Sequence, residues 1–440
     1  MFRIMTAASV KLVSRYLPDP FLFAVILTLA VFGFGLAAGN TPTQMVQFWG
    51  EGFWNLLSFS MQMLLVLVTG YTLAQTPVFK RILSSVASTV HTPGAAIMLT
   101  SFVSALASWI NWGFGLVIGA LLAKEIARKV DKVDYRLLIA SAYSGFIVWH
   151  GGLSGSVPLT IATDKHFAAD LIGVIPTSET IFSPMNLAIV IALMIALPVL
   201  NRLMHPEPGK EIVYRPADDV KLEAAAATAD AACDTPADKL EKSKIVSLAI
   251  SVIGFWFIIG YFVKNGFKLN LDIVNLCFLF LGILLHGTPR RFLEAATDAV
   301  KGTTGIVIQF PFYAGIMGMM VSSGLAGHIS EWFVSISNPT TFPLFSFWSA
   351  GLVNIFVPSG GGQWAVQAPI MLPAGIELGV DAAKTSMAIA WGDAWTNLIQ
   401  PFWALPALAI AGLGARDIMG YCLILLFASG AIISLGFLVF

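Results

Sequence analysis

The chain has 440 residues, of which 57% are hydrophobic and 11% charged, and its mean hydropathy is +0.80. Soluble domains carry about a quarter of charged residues, so this composition excludes them and indicates a membrane protein. Lys plus Arg and Asp plus Glu number 25 each, which leaves no basic surplus for nucleic acid, and Cys233, Cys277 and Cys422 lack the spacing of a metal site or a disulfide framework, so no cofactor is expected.

In chain order, Arg3, Lys11 and Arg15 precede an apolar run that no small-residue cleavage site clearly follows, so Phe21–Gly39 reads as a retained first span with the N-terminus inside. Further segments long enough for a hydrocarbon layer of about 30 Å lie near 53–75, 137–160, 181–204, 245–263, 271–287, 304–323, 385–413 and 418–438. Segment 94–123 differs. Lys80, Arg81 and His91 precede it and Lys124, Arg128, Lys129, Lys132 and Arg136 follow, so both ends read as cytoplasmic and the segment must turn back. Its centre, Trp109-Ile-Asn-Trp-Gly-Phe-Gly115, supplies the glycines for the turn, and arms of about a dozen residues would rise about 18 Å. A second hairpin is expected at 343–374, turning at Val357-Pro-Ser-Gly-Gly-Gly-Gln363 and entering from outside.

The loops 40–52 and 324–342 contain no Lys or Arg and read as external, whereas 80–92 and 124–136 read as internal. The polar stretch 205–244, with 15 charged residues and Ala224–Ala227 at its centre, is expected to be a cytoplasmic surface tether with little order. It divides a first repeat, 1–204, from a connecting span, 245–263, and a second repeat, 264–440. A shift of 248 residues (359 minus 111) lays Asn111 on Ser359, Gly113 on Gly361, Ala140 on Ala388, Ala142 on Ala390, Tyr143 on Trp391 and Pro158 on Pro406. The unmatched span 245–263 would flip the second half. The predicted fold is therefore an all-α polytopic membrane protein of two inverted-topology repeats, each with a re-entrant hairpin and an interrupted transmembrane helix.

Four segments put glycine, proline and polar side chains at membrane depth: Asn111–Gly115, Trp149–Ser156, Pro358–Gln363 and Gly392–Pro401. Broken backbone there must face protein or a wet cavity, and helix ends and freed carbonyls suit a carboxylate and a cation. Candidate solute ligands are Asn111, Gly113, Gly115, Ser154 and Ser156 in the first half, and Ser359, Gly360, Gly361, Gly362, Gln363, Thr396, Asn397 and Gln400 in the second. A Na⁺ ion would sit near Asn111, Ser359 and Asn397. Each of these residue types also packs helices against one another in membranes, which is the competing role. Asp393 and His150 are candidates for ion coupling; the alternatives are that Asp393 caps a helix starting near Ala394 and that His150 packs. His286 and Glu377 are expected at the interfaces. Trp109, Trp112, Trp364, Trp391, Trp395 and Trp403 either line an apolar cavity or pack the bundle.

At Ile110-Asn-Trp-Gly-Phe-Gly-Leu116, Gln309-Phe-Pro-Phe-Tyr-Ala-Gly315, Val357-Pro-Ser-Gly-Gly-Gly-Gln363 and Gln400-Pro-Phe-Trp-Ala-Leu-Pro-Ala407 the sequence resembles the bacterial short-chain fatty acid transporter family. Arg15-Tyr-Leu-Pro-Asp-Pro20 and Gly412-Leu-Gly-Ala-Arg-Asp-Ile-Met-Gly-Tyr421 extend the likeness end to end. The resemblance implies import of acids such as acetoacetate and butyrate across the inner membrane, and kinship with the ion transporter superfamily. It also implies that the tips, Asn111 and Pro358–Gly362, hold the carboxylate and Na⁺. Superfamily tips often carry a Ser-Asn-Thr motif, where this chain has Asn-Trp-Gly and Pro-Ser-Gly-Gly-Gly. The expected molecule is a secondary carrier and symporter using H⁺ or Na⁺, with the acid and the lipid bilayer as partners and assembly as a homo-oligomer left open. The alternatives are an anion channel, a carrier of another small carboxylate, and an intramembrane enzyme using Asp393 and His150 as acid and base.

Overall fold

The computed structural model describes residues 20–207, 209–214, 235–355, 357 and 359–440. Among these residues the regular structure is helical throughout, as a backbone without water to serve its amides requires. The first half runs α1 (Pro20–Ala37), α2 (Pro42–Gly52), α3 (Leu57–Ala74), α4 (Pro77–Ala87), α5 (Pro93–Ile110), α6 (Trp112–Lys129) and α7 (Tyr135–Ser144). A 3₁₀ stretch, Gly145–Gly151, then leads to α8 (Ser156–Ile161), α9 (Ala169–Ile172) and α10 (Pro184–Leu203). After α11 (Pro236–Glu241) and α12 (Lys244–Asn265), the second half runs α13 (Leu271–His286), α14 (Pro289–Val300), α15 (Thr304–Ser322), α16 (Leu325–Ile336), α17 (Phe342–Asn354), α18 (Gly360–Glu377) and α19 (Ala382–Thr396). The 3₁₀ turn Asn397–Ile399 leads to α20 (Pro401–Ala411) and α21 (Ala415–Val439).

One sequence device starts many of these helices. Thr41, Thr76, Thr92, Ser183, Thr235 and Thr288 each precede a proline, and each hydroxyl accepts the backbone N–H three residues on. The hydroxyl serves an amide that has no helical partner, and proline at the first position has no amide to lose. This signal marks α2, α4 and α14, which lie in stretches expected to be loops or outside any span. They are 11, 11 and 12 residues long, too short for a span.

The 248-residue shift extends well beyond the hairpin tips. It carries α2 to 290–300, α3 to 305–322, α4 to 325–335 and α6 to 360–377, against α14, α15, α16 and α18. The order of these elements is the same under the shift. The first hairpin is longer than its predicted 94–123: its arms α5 and α6 have 18 residues each, about 27 Å at the helical rise. Lys124, Arg128 and Lys129 belong to α6 itself, because the helix continues past the apolar stretch.

Packing places the second arm of each hairpin inside. α6 lies against α3 and α20 as well as its own partner α5, while α17 pairs with α19, and α18 packs on α15 and α16. The arms α5 and α6 approach closely at Gly115, where an added Cβ would lie 2.4 Å from the Ser108 Cα. α12 is the most peripheral span, with 22% of its apolar window buried.

The described ends of the polar linker are anchored. Ile212 exchanges bonds with the start of α7, its N–H donating to Asp134 Oδ2 at 2.9 Å and its carbonyl accepting from Tyr135 N–H at 2.8 Å. At the other end Arg290 of α14 pairs with Asp238 at 2.5 Å and Glu241 at 2.7 Å. The middle of the linker, with the alanine run, Cys233 and the expected lack of order, lies outside the described residues.

Two predictions follow from this packing. Gly115→Ala forces α5 and α6 apart and lowers the melting temperature in detergent by several degrees, at a cost of about 1–3 kcal/mol. Gly33→Ala, where nothing lies within 4 Å of the new Cβ, leaves it unchanged or raises it; equal effects would contradict the close approach. Second, hydrogen bonds from Thr235, then from Arg290, hold the Asp238 carboxyl at about 2. A carboxyl whose folded value lies below its unfolded value contributes stability above the unfolded value and loses it as pH falls through the folded one. Corrected amide exchange in Thr235–Glu241 should therefore be flat from about pH 5 to 8 and faster in Asp238→Asn; a marked pH response in that window would count against the contact.

Candidate functional site

The two hairpin tips have the same local construction. Asn111 (φ −155°, ψ 127°) and Ser359 (φ −157°, ψ 112°) are extended residues that cap α6 and α18. Asn111 Oδ1 accepts from Phe114 N–H at 2.9 Å and Ser359 Oγ from Gly362 N–H at 3.3 Å, positions related by the same shift. Pro358 lies outside the described residues.

The glycines serve contacts. An added Cβ on Gly113 would press the Leu67 carbonyl, and on Gly361 and Gly362 it would meet the rings of Phe59 and Tyr313. On Gly360 it would lie 2.7 Å from both His150 Cε1 and the Trp149 ring. The glycine run thus lets the second tip press into the break of the first half. Gly115 belongs instead to the contact between hairpin arms.

The first break is tied to the first tip. Ser154 Oγ accepts from Trp112 N–H at 2.9 Å, Leu153 N–H donates to the Trp109 carbonyl at 2.7 Å, and the Gly151 carbonyl accepts from Trp109 Nε1 at 3.1 Å and Asn186 Nδ2 at 2.9 Å. Ser156 is buried at the start of α8, its carbonyl taken by the Thr160 hydroxyl. In the second break the organising residue is Asn354, at the end of α17. Its Nδ2 shares two hydrogens among the Asp393 carbonyl at 2.9 Å, Thr396 Oγ1 at 2.8 Å and Asn397 Oδ1 at 2.8 Å, and its carbonyl accepts from Gln400 Nε2 at 3.0 Å. Tyr143 of α7 donates its hydroxyl to the Asn397 and Gln400 carbonyls, joining the halves. Gln363 donates to the Ala350 carbonyl and to Gln367 Oε1, both at 2.8 Å, and so braces the second hairpin.

His150 and Asp393, from opposite halves, meet where these networks touch. His150 Nδ1 lies 3.1 Å from Asp393 Oδ2, and both residues are fully buried. The histidine tautomer follows from its other contact, because Val157 N–H donates to Nε2 at 3.1 Å. An amide N–H only donates, so Nε2 bears the lone pair and Nδ1 carries the proton toward the carboxylate. Asn397 Nδ2 lies 3.4 Å from the same Oδ2, while Oδ1 is buried without a hydrogen-bond partner among the described residues. Such a carboxyl has room for one more proton or cation.

The expected residues therefore fall into two groups. His150, Asp393, Asn397 and Gly360 come together, as do Asn111, Ser154 and Trp112. Among the described residues no hydrogen bond joins Asn111, Ser359 and Asn397 to one another, and each of their side-chain oxygens already accepts a local bond. Asp393 lies within α19, which continues to Thr396, so it does not cap a helix beginning near Ala394. His286, the last residue of α13, is buried rather than solvated, with Nε2 2.8 Å from the Thr72 carbonyl. Glu377 is exposed at the end of α18. Trp391 and Trp395 are packing residues, bonded through Nε1 to Asn186 Oδ1 and the Leu426 carbonyl.

Asn354, Asn186 and Tyr143 were not singled out by sequence. A lone asparagine in the otherwise apolar Phe342–Asn354 was a usable signal; Val157 acts through its backbone and left none.

A model of the family described as short chain fatty acid transporter matches residues 1–440. A protein of Escherichia coli (strain K12), provisionally named a short-chain fatty acid transporter, is 47% identical over 432 residues, covering 98% of both chains. One of Haemophilus influenzae with the same name is 46% identical over 436 residues, covering 96% of each. In fold, the chain is similar to the crystal structure of the Alcanivorax borkumensis YdaH transporter, described as having an unusual topology, with a TM-score of 0.54, 17% identity, and 96% and 97% of the two chains covered.

Tyr143→Phe should strip the donor from two buried carbonyls of the second break and cost about 1–3 kcal/mol. The expected readout is a lower melting temperature together with faster amide exchange around Asn397–Gln400; an unchanged melting temperature would mean that the break is held by other bonds.

Proposed function

The chain belongs to the short-chain fatty acid transporter family, and from that premise we propose that it carries monocarboxylates such as acetoacetate and butyrate across the bacterial inner membrane, by alternating access and coupled to protons. The observation that carries this reading is the buried His150–Asp393 pair, which spans the two halves, leaves one carboxylate oxygen open and touches the second tip. A lone carboxylate buried at membrane depth costs several kcal/mol. A proton on Oδ1 removes that cost without disturbing the bond from His150, so the protonation state is a natural lever on how the halves meet.

Inverted halves suit the same reading. α2 has no Lys or Arg where its mate α14 has Arg290 and Arg291, whereas α4 has Lys80 and Arg81 where its mate α16 has neither. By the positive-inside tendency, mates with opposite charge belong on opposite faces of the membrane, as in carriers built from inverted repeats. Na⁺ coupling is the second reading; it would need the oxygens of Asn111, Ser359 and Asn397, which each accept a separate hydrogen bond here, to converge.

The test is uptake of labelled butyrate and acetoacetate into proteoliposomes under imposed pH or Na⁺ gradients, measured above protein-free vesicles because butyric acid itself permeates lipid. A lower external pH should drive accumulation, and Asp393→Asn should reduce it to the protein-free level while counterflow persists. Na⁺-driven accumulation that survives Asp393→Asn would overturn proton coupling, and ohmic currents without exchange would replace the carrier by a channel.

A further inference from the structure

Resting on that reading, we propose that the ring cluster of Trp112, Phe146, Trp149 and Trp403 is the substrate pocket, and that the indole N–H groups of Trp112 and Trp149 bind the carboxylate. Among the described residues no lysine or arginine is buried, so an anion taken into the core must be recognised by neutral donors. Several buried indole N–H groups have no hydrogen-bond partner, those of Trp49, Trp112, Trp149 and Trp364 among them. A buried hydroxyl can rotate to a helical carbonyl, but an indole N–H is aimed by the packing of its ring, and leaving it unpaired is costly. Its partner is then to be sought in a ligand.

Trp112 and Trp149 stand apart because they touch each other and lie at a tip and a break. Their ring centroids are 6.0 Å apart at 61°. Phe146 stacks on Trp149 at 5.6 Å and 6°, and Trp403 closes the cluster 5.4 Å from Trp112 and 5.6 Å from Phe146. The unpaired Trp49 instead packs on Phe53 and Phe312, and Trp364 on Phe167. Ring faces suit a chain of two to four carbons, and Trp112 opens α6, whose start adds a partial positive charge. Contributions come from a tip and a break of the first half and from α20 of the second, so relative movement of the halves would open or close the cluster.

The pocket adjoins the proton site. Trp149 stacks on His150 at 4.0 Å and 15°, and His150 holds Asp393. Among the described residues His150 is the one titratable side chain bonded to Asp393. The helices packed on α19 beyond it, α8, α17 and α18, carry no titratable side chain except Glu377, exposed at the far end of α18, and α21 has Arg416, Asp417, Tyr421 and Cys422 in its first turns. An anion on Trp149 is thus one ring away from a carboxylate that repels it until protonated, which links binding to the proton.

The experiment replaces each tryptophan with phenylalanine (W112F, W149F) and, separately, places 3-benzothienylalanine at position 112 or 149, which keeps the bicyclic shape and removes the N–H. Half-saturation for butyrate and acetoacetate is measured by counterflow in proteoliposomes, with melting temperature as the folding control. Each lost N–H should raise half-saturation about tenfold with the maximal exchange rate little changed, and the benzothienyl proteins should melt like the wild type. Benzothienyl proteins with wild-type melting and wild-type half-saturation would overturn the pocket while leaving transport intact. A wild type with no saturable exchange of either acid would instead overturn the transport reading, and the pocket with it.

Discussion

Inside a bilayer there is no water to satisfy a broken helix, and every amide or carbonyl freed by a break must find protein. The layout of this molecule depends on that constraint. The break after α7 is served by Trp109 and Asn186, and the break after α19 by Asn354 and Tyr143. Most of these partners lie on another element, so the breaks, the hairpins and the outer helices cannot be rearranged independently.

Repetition built the scaffold and asymmetry built the chemistry. The caps Asn111 and Ser359 repeat in position, backbone angles and bonding. At the same shift, however, His150 answers to Leu398 and Asp393 to Gly145. Each half contributes one member of the hydrogen-bonded pair where the other half has an apolar or absent side chain. The pair exists only where the halves meet.

Much of the fold was legible in the sequence. Apolar segment length marked the long helices Leu57–Ala74, Pro184–Leu203, Lys244–Asn265 and Ala415–Val439. By contrast α13, expected as a span, is only 16 residues long, and α5, expected as a short re-entrant arm, is itself long and apolar enough to cross a membrane. The short helices α2, α4 and α14 were missed because length was weighed and the Thr-Pro starts were not. The site was legible in residue type more than in role. Thr396, Asn397 and Gln400 were chosen for their polarity, and they serve chiefly to satisfy Asn354 and the backbone around it. Polarity tells that a group needs a partner in a membrane, but not whether the partner is protein or solute.

By itself the sequence determined a multi-pass, all-helical membrane chain and the glycine- and proline-rich stretches where its helices break, because these depend on local composition and on the order of residues along the chain. Only the tertiary structure decided that His150 meets Asp393, that Val157 fixes the histidine proton on Nδ1, and that Trp112 and Trp149 share a cluster with unpaired N–H groups. Those contacts join residues of different helices, and His150 and Asp393 are 243 positions apart. Their geometry comes from how helices pack, which no local pattern specifies.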